Sequence, residues 1–123
     1  MSPPVLVWVP YIDIELAVSR QPRLTYPTGI VLVAIVNNYR YGFDIIDATG
    51  LGAGTVYPIL RRLEEAGLVR SAWEAARTAV DRPPRRYYRV NASGAAMARD
   101  ALQRYPGIAG LVGDSRRGAP APA

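Results

Sequence analysis

Residues 52–69, GAGTVYPILRRLEEAGLV, have the periodicity of an amphipathic helix with a proline near the front. That proline is the tightest local constraint in the chain. Proline donates no backbone hydrogen bond, and inside a helix its ring collides with the carbonyl four residues earlier. Pro58 therefore belongs in a first turn, where no intrahelical donor is needed. Thr55 is the natural N-cap for that start and makes Pro58 the third helical residue. At about 100° per residue, Val56, Ile59, Leu60, Leu63 and Ala66 share one face, the core face. Arg61 and Glu65 point away from it, with Tyr57 and Arg62 on opposite flanks. Gly67 ends the helix.

Two helices are expected before this one. The stretch LTYPTGIVLVAIVNN is apolar nearly all round, as a central buried helix is. Thr25 caps it, Pro27 sits harmlessly at its second position, and Asn37-Asn38 is the exit. RYGFDIIDATG then predicts a short helix of about two turns, closed by Gly50. After the third helix, residues 68–74 (LVRSAWE) and 85–90 (RRYYRV) read as strands. Tyr88 and Val90 are the inward pair of the second strand. A loose loop joins the two, and Pro83-Pro84 stiffens its return. Asn91 caps a last helix, ASGAAMARDALQRY, with Met97, Ala98, Ala101, Leu102 and Tyr105 as its apolar stripe. Pro106-Gly107 ends it, and Ile108, Leu111 and Val112 remain for packing.

The ends are less periodic. VLVWV (5–9) has the pattern of a short buried strand, and residues 12–20 fit a strand or a short helix. The composition beyond Asp114 is that of a disordered tail.

Several functions are excluded by what the chain lacks. It has no cysteine and no histidine, so thiol catalysis, Ser-His chemistry and Cys/His metal sites are out of reach. The carboxylate pairs Asp44/Asp47 and Glu64/Glu65 have no third polar partner nearby and read as solvated or ion-paired. The expectation is no enzyme, no cofactor and no metal. No apolar run reaches the roughly 18 residues of a membrane span, and the N-terminus lacks the basic start of a signal peptide. A cytoplasmic protein is expected.

All 15 basic residues are arginine, and the net charge is +5. Residues 70–89 alone hold six arginines against Glu74 and Asp81, a local charge of +4. Such a segment is either a solvated basic hairpin or a surface for a polyanion.

A short helix and a glycine-containing turn leading into an amphipathic helix have the logic of a helix-turn-helix, and a two-stranded hairpin after it makes a winged helix. The second helix of such a unit enters the major groove through its first residues, here Thr55 and Tyr57, with Arg61 one turn on. The pattern resembles the PadR-like transcriptional regulators. The likeness rests on Tyr41-Gly42, Gly54-Thr55-Val56-Tyr57-Pro58, Arg61-Arg62-Leu63-Glu64, Gly67-Leu68-Val69, Trp73 and Arg86-Tyr87-Tyr88, over roughly residues 26–103.

The resemblance implies a mostly α fold with a small β-wing (α+β), a winged helix-turn-helix with one helix after the wing. Residues 1–25 depart from the family pattern and are expected to be an N-terminal extension that contacts the dimer partner. Residues 26–90 form the DNA-binding domain, 91–113 the dimerisation helix and packing segment, and 114–123 a disordered tail. The implied function is that of a homodimeric repressor on double-stranded DNA carrying an inverted repeat. Some members of the family release DNA when a flat aromatic molecule binds near the dimer interface. A small aromatic effector is therefore expected, with no residue assigned to it. Thr55, Tyr57, Arg61, Arg62, Arg82, Arg85 and Arg86 are the expected DNA contacts. Tyr57 stacks or bonds to phosphate, or packs on the preceding helix. Arg62 reaches phosphate or an internal carboxylate. Trp73 is expected to anchor the wing to the domain, and Trp8 and Tyr11 of the extension to close the dimer. The competing class is a winged helix reused as a protein-interaction module without specific DNA binding.

Overall fold

The computed structural model describes residues 22–75 and 82–113. The expectations for residues 5–9 and 12–20, for Trp8 and Tyr11, for the loop centre at 76–81 and for the tail from 114 lie outside the described residues.

The element order is α1 (Tyr26–Val36), α2 (Gly42–Thr49), α3 (Ala53–Glu65), β1 (Val69–Trp73), β2 (Arg86–Val90), α4 (Ala92–Arg104) and a single turn, α5 (Ile108–Leu111). Helix α1 is the hub. Every residue from Thr28 to Ile35 is buried, as a helix without a polar face requires. The Thr25 side chain accepts from the Thr28 amide, as expected of the cap. Helix α4 runs against α1, while α2 and α3 pack on α1 and on each other. At Gly29 an added Cβ would stand 2.8 Å from the Ala101 Cβ, so the glycine is what lets α1 and α4 come this close.

The strands pair antiparallel with Val69 opposite Val90 and Trp73 opposite Arg86. Tyr88 is buried on the inner face, as the alternation required, and Val90 is half-buried beside it. A further bridge on the other edge of β2 has no signal in the sequence. Tyr41 forms an isolated bridge with Tyr87, and the Tyr88 amide donates to the Arg40 carbonyl at 2.8 Å. The residues just ahead of α2 are thereby stitched to the wing.

The start of α3 corrects one expectation. The N-cap is Gly52, not Thr55, and Thr55 is already helical. Pro58 thus lies inside the helix. Its missing donor costs one bond, to the carbonyl of Gly54, and Gly54 is an exposed residue of the first turn. Meanwhile the earlier start gains the bonds from the Thr55 and Val56 amides to the Gly52 carbonyl, both at 3.0 Å. The far end follows the sequence: the helix stops at Glu65 and Gly67 takes a left-handed φ of 77°.

The segment after α4 is also more ordered than a packing strip. Residues Ile108 and Val112 are buried, whereas Leu111 is 63% exposed. The Asn37 side chain donates to the Val112 carbonyl at 3.0 Å, which ties this segment to the end of α1.

Candidate nucleic-acid interface

Helix α3 separates its residues cleanly. Val56, Ile59, Leu60 and Leu63 are buried, while Thr55, Tyr57, Arg61 and Arg62 are exposed. Because Gly52 and not Thr55 holds the N-cap position, the Thr55 hydroxyl has no capping duty and points from an exposed first turn. Arg61 and Arg62 form no ion pair among the described residues. The ordinary expectation of a bond to Glu64 or Glu65 is not met. An arginine placed ahead of its glutamate is the poorer order for such a helix pair. Arg62 instead borders a groove with Pro22, Glu65 and Ala66.

Tyr57 packs on the preceding helix at Gly42. A Cβ added at Gly42 would stand 2.6 Å from ring atoms and the hydroxyl of Tyr57. The Tyr-Gly pair opening α2 thus has a steric reason: only a residue without a side chain leaves room for this ring. Tyr57 nevertheless stays 45% exposed. Its outer edge lines a cleft of about 180 Å³ with Tyr41, Phe43, Arg85 and Arg86. Tyr57 and two of the expected wing contacts are therefore brought together, while Thr55, Arg61 and Arg62 lie outside that cleft.

The wing arginines are not loose. Glu74 is the post to which two of them are tied. Its carboxylate accepts from the Tyr41 hydroxyl at 2.8 Å, from Arg82 at 2.7 and 3.2 Å, and from the Arg85 amide at 3.1 Å. The Arg85 guanidinium is 3.9 Å from it and sits 4.1 Å above the Tyr41 ring. Hydrogen bonds from Arg82 first, then from Tyr41 and the Arg85 backbone, lower the Glu74 pKa from 4.5 to about 2. The same contact, with burial, raises the Tyr41 phenol, and Glu74 raises Arg82. On the other face, Arg86 donates to Glu64 at 3.1 Å and to the Ser71 hydroxyl at 2.8 Å, and Ser71 donates to Glu64 at 2.6 Å. One carboxylate of α3 thus braces the wing.

Sequence reasoning missed Glu74. The signal that finds it is the antiparallel register, which only the folded hairpin fixes: with Trp73 opposite Arg86, the next pair outward is Glu74 and Arg85. Trp73 corrects another expectation. It is 64% exposed and lies under the Arg86 guanidinium at 5.8 Å, so it does not anchor the wing to the domain. Its position at the open end of β1 carries it past the edge of the core. Bracing falls to Glu64, Ser71 and Arg86 instead.

A helix pair across a tight glycine turn, followed by a braced two-stranded wing, is a winged helix-turn-helix. Residues 31–100 match the Transcriptional regulator PadR-like family, more than half of the chain, and the protein belongs to that family. Membership makes it a transcriptional regulator and not an enzyme. Two solved structures share the fold. One is a Streptococcus transcriptional regulator, 24% identical, with a TM-score of 0.54 over 68% of this chain and 84% of that one. The other is a PadR family transcription regulator from Clostridium difficile R20291, 23% identical, with a TM-score of 0.54 over 68% and 92%. No curated protein matches the chain. Among the described residues no helix is long and apolar enough to cross a membrane.

Proposed function

We propose that the protein is a cytoplasmic, nucleoid-associated, homodimeric repressor that binds an inverted repeat in double-stranded DNA and releases it when a small aromatic molecule binds. The observation that carries DNA contact is the outer face of α3. Arg61 and Arg62 are exposed there without an ion pair among the described residues, beside an uncommitted Thr55. Thr55, Tyr57 and Arg61 enter the major groove, with Arg61 reading a base edge and Arg62 a phosphate. Arg82, Arg85 and Arg86 flank them on the wing and meet the backbone or the minor groove.

The dimer closes through α4 with help from residues 1–25. An open groove of about 500 Å³ lies between Leu24 and α4, lined by Met97, Asp100, Gln103 and Arg104. Protein-module use without DNA has its own support in Phe43 and Trp73, which are 73% and 64% exposed.

Footprinting on the intergenic DNA beside the coding gene tests the proposal. Protection of two half-sites about one helical turn apart is expected. No protection at any salt concentration, together with capture of a protein partner through Phe43 and Trp73, would replace it with the module reading.

A further inference from the structure

Two wing arginines have no part in the proposed contact. Arg70 on β1 stands directly opposite Arg89 on β2. Directly opposed residues share a face of the ladder with Cβ atoms about 5 Å apart, and like charges there destabilise the hairpin. Both side chains are exposed, and neither forms an ion pair among the described residues. The nearby carboxylates among the described residues are committed elsewhere. Glu74 shares this face by alternation, but Tyr41, Arg82 and Arg85 hold it. Glu64 serves the opposite face through Ser71 and Arg86. The Arg89 guanidinium rests 5.8 Å over the Tyr87 ring. A shallow cavity of about 250 Å³ is lined by both arginines together with Ser71, Ala72 and Tyr87.

We infer that this outer face of the wing is an oxyanion site in which Arg70 and Arg89 clasp a phosphate-type group. Two guanidiniums across one rung repel each other when empty, and both donate when an oxyanion lies between them. Ala72 next to the pair leaves the floor open, and Tyr87 supplies one wall. The site is separate from the entry face of α3. Arg70 follows the C-terminal end of that helix, whereas Thr55 and Tyr57 lie in its first turns, and 13 residues of helix span about 20 Å. The group comes either from a free phosphate-bearing molecule or from a DNA backbone that runs past the base of the wing.

The test follows thermal unfolding of the full chain and of Arg70→Gln and Arg89→Gln, in chloride and in inorganic phosphate at equal ionic strength. In chloride each variant should melt about 1–4 °C higher than the parent, because the repulsion is gone. Phosphate should raise the parent's melting temperature and leave the variants unmoved. If DNA is the source, phosphate has no such selective effect. Instead each variant lowers the slope of log affinity against log salt, on duplex DNA, by about 0.9. Variants that match the parent in both phosphate response and DNA salt slope overturn the site. The phosphate arm needs no DNA, so a failure of the repressor reading would be seen separately.

Discussion

On α3, Arg61 and Arg62 reach solvent with no carboxylate among the described residues holding them, whereas Arg82, Arg85 and Arg86 of the wing are each tied to one. The two regions differ by only a few residues in what the chain offers them. Glu64 and Glu65 are nearer in sequence to Arg61 than Glu74 is to Arg82 or Arg85. Glu64 nevertheless turns away and grips Arg86 across the turn. Local charge pairing therefore does not decide which arginine is free; the packing of the wing on the helix does. A free arginine can give its full charge to a phosphate or a base edge. A tied arginine is held in place but must share its charge with the carboxylate that holds it.

The seam between the two regions offers the largest effect. Gly42→Ala drives a Cβ into Tyr57, and overpacking of this kind costs about 1–3 kcal/mol. Urea unfolding measures it, and an unchanged midpoint would mean that Tyr57 does not rest on Gly42. On the free side, Arg61→Ala should weaken binding to the protected site by about 1–3 kcal/mol and relax its sequence preference. Equal losses on specific and random DNA would move Arg61 from base reading to phosphate contact.

On the tied side, Glu74→Gln should loosen the wing, seen as faster amide exchange at Arg85 and along β2, while α1 stays protected. The pH dependence has a definite sign. The folded pKa of about 2 lies below the ordinary 4.5, so the unfolded chain binds the extra proton first. The stabilisation from Glu74 is complete above about 4.5 and is lost as pH falls through about 2. A Glu74→Gln variant should lack that acid-side component, and an identical acid transition in both proteins would show that the post bears no load. The smallest effect belongs to the half-exposed pair Arg86 and Glu64. A double-mutant cycle on stability should return about 0.2–1 kcal/mol.

Much of the frame was legible in the sequence. An all-apolar α1 can only be central, Gly50 and Gly67 mark helix ends, and the 100° periodicity of α3 separates its two faces without ambiguity. Pro58 alone does not place the start of α3, because the bond it forgoes at an exposed first turn is offset by those the earlier start gains at the Gly52 carbonyl. Trp73 was misassigned because an aromatic residue on a strand says nothing about how far the strand outruns the core. The Glu74 post and the Arg70–Arg89 rung were hidden for a common reason. Both depend on strand register, and a loop of uncertain length between the strands leaves the register open until the hairpin is seen.

We propose that the exposed arginines of α3, more than the tied arginines of the wing, carry the contact with DNA. Affinity for the protected duplex should be followed against salt for the parent, for Arg61→Ala/Arg62→Ala and for Arg82→Ala/Arg85→Ala/Arg86→Ala. A steep slope is expected in the parent and, per arginine removed, a larger loss of affinity and slope in the α3 variant than in the wing variant. A wing variant that abolishes binding while the α3 variant binds with the parental slope would contradict it.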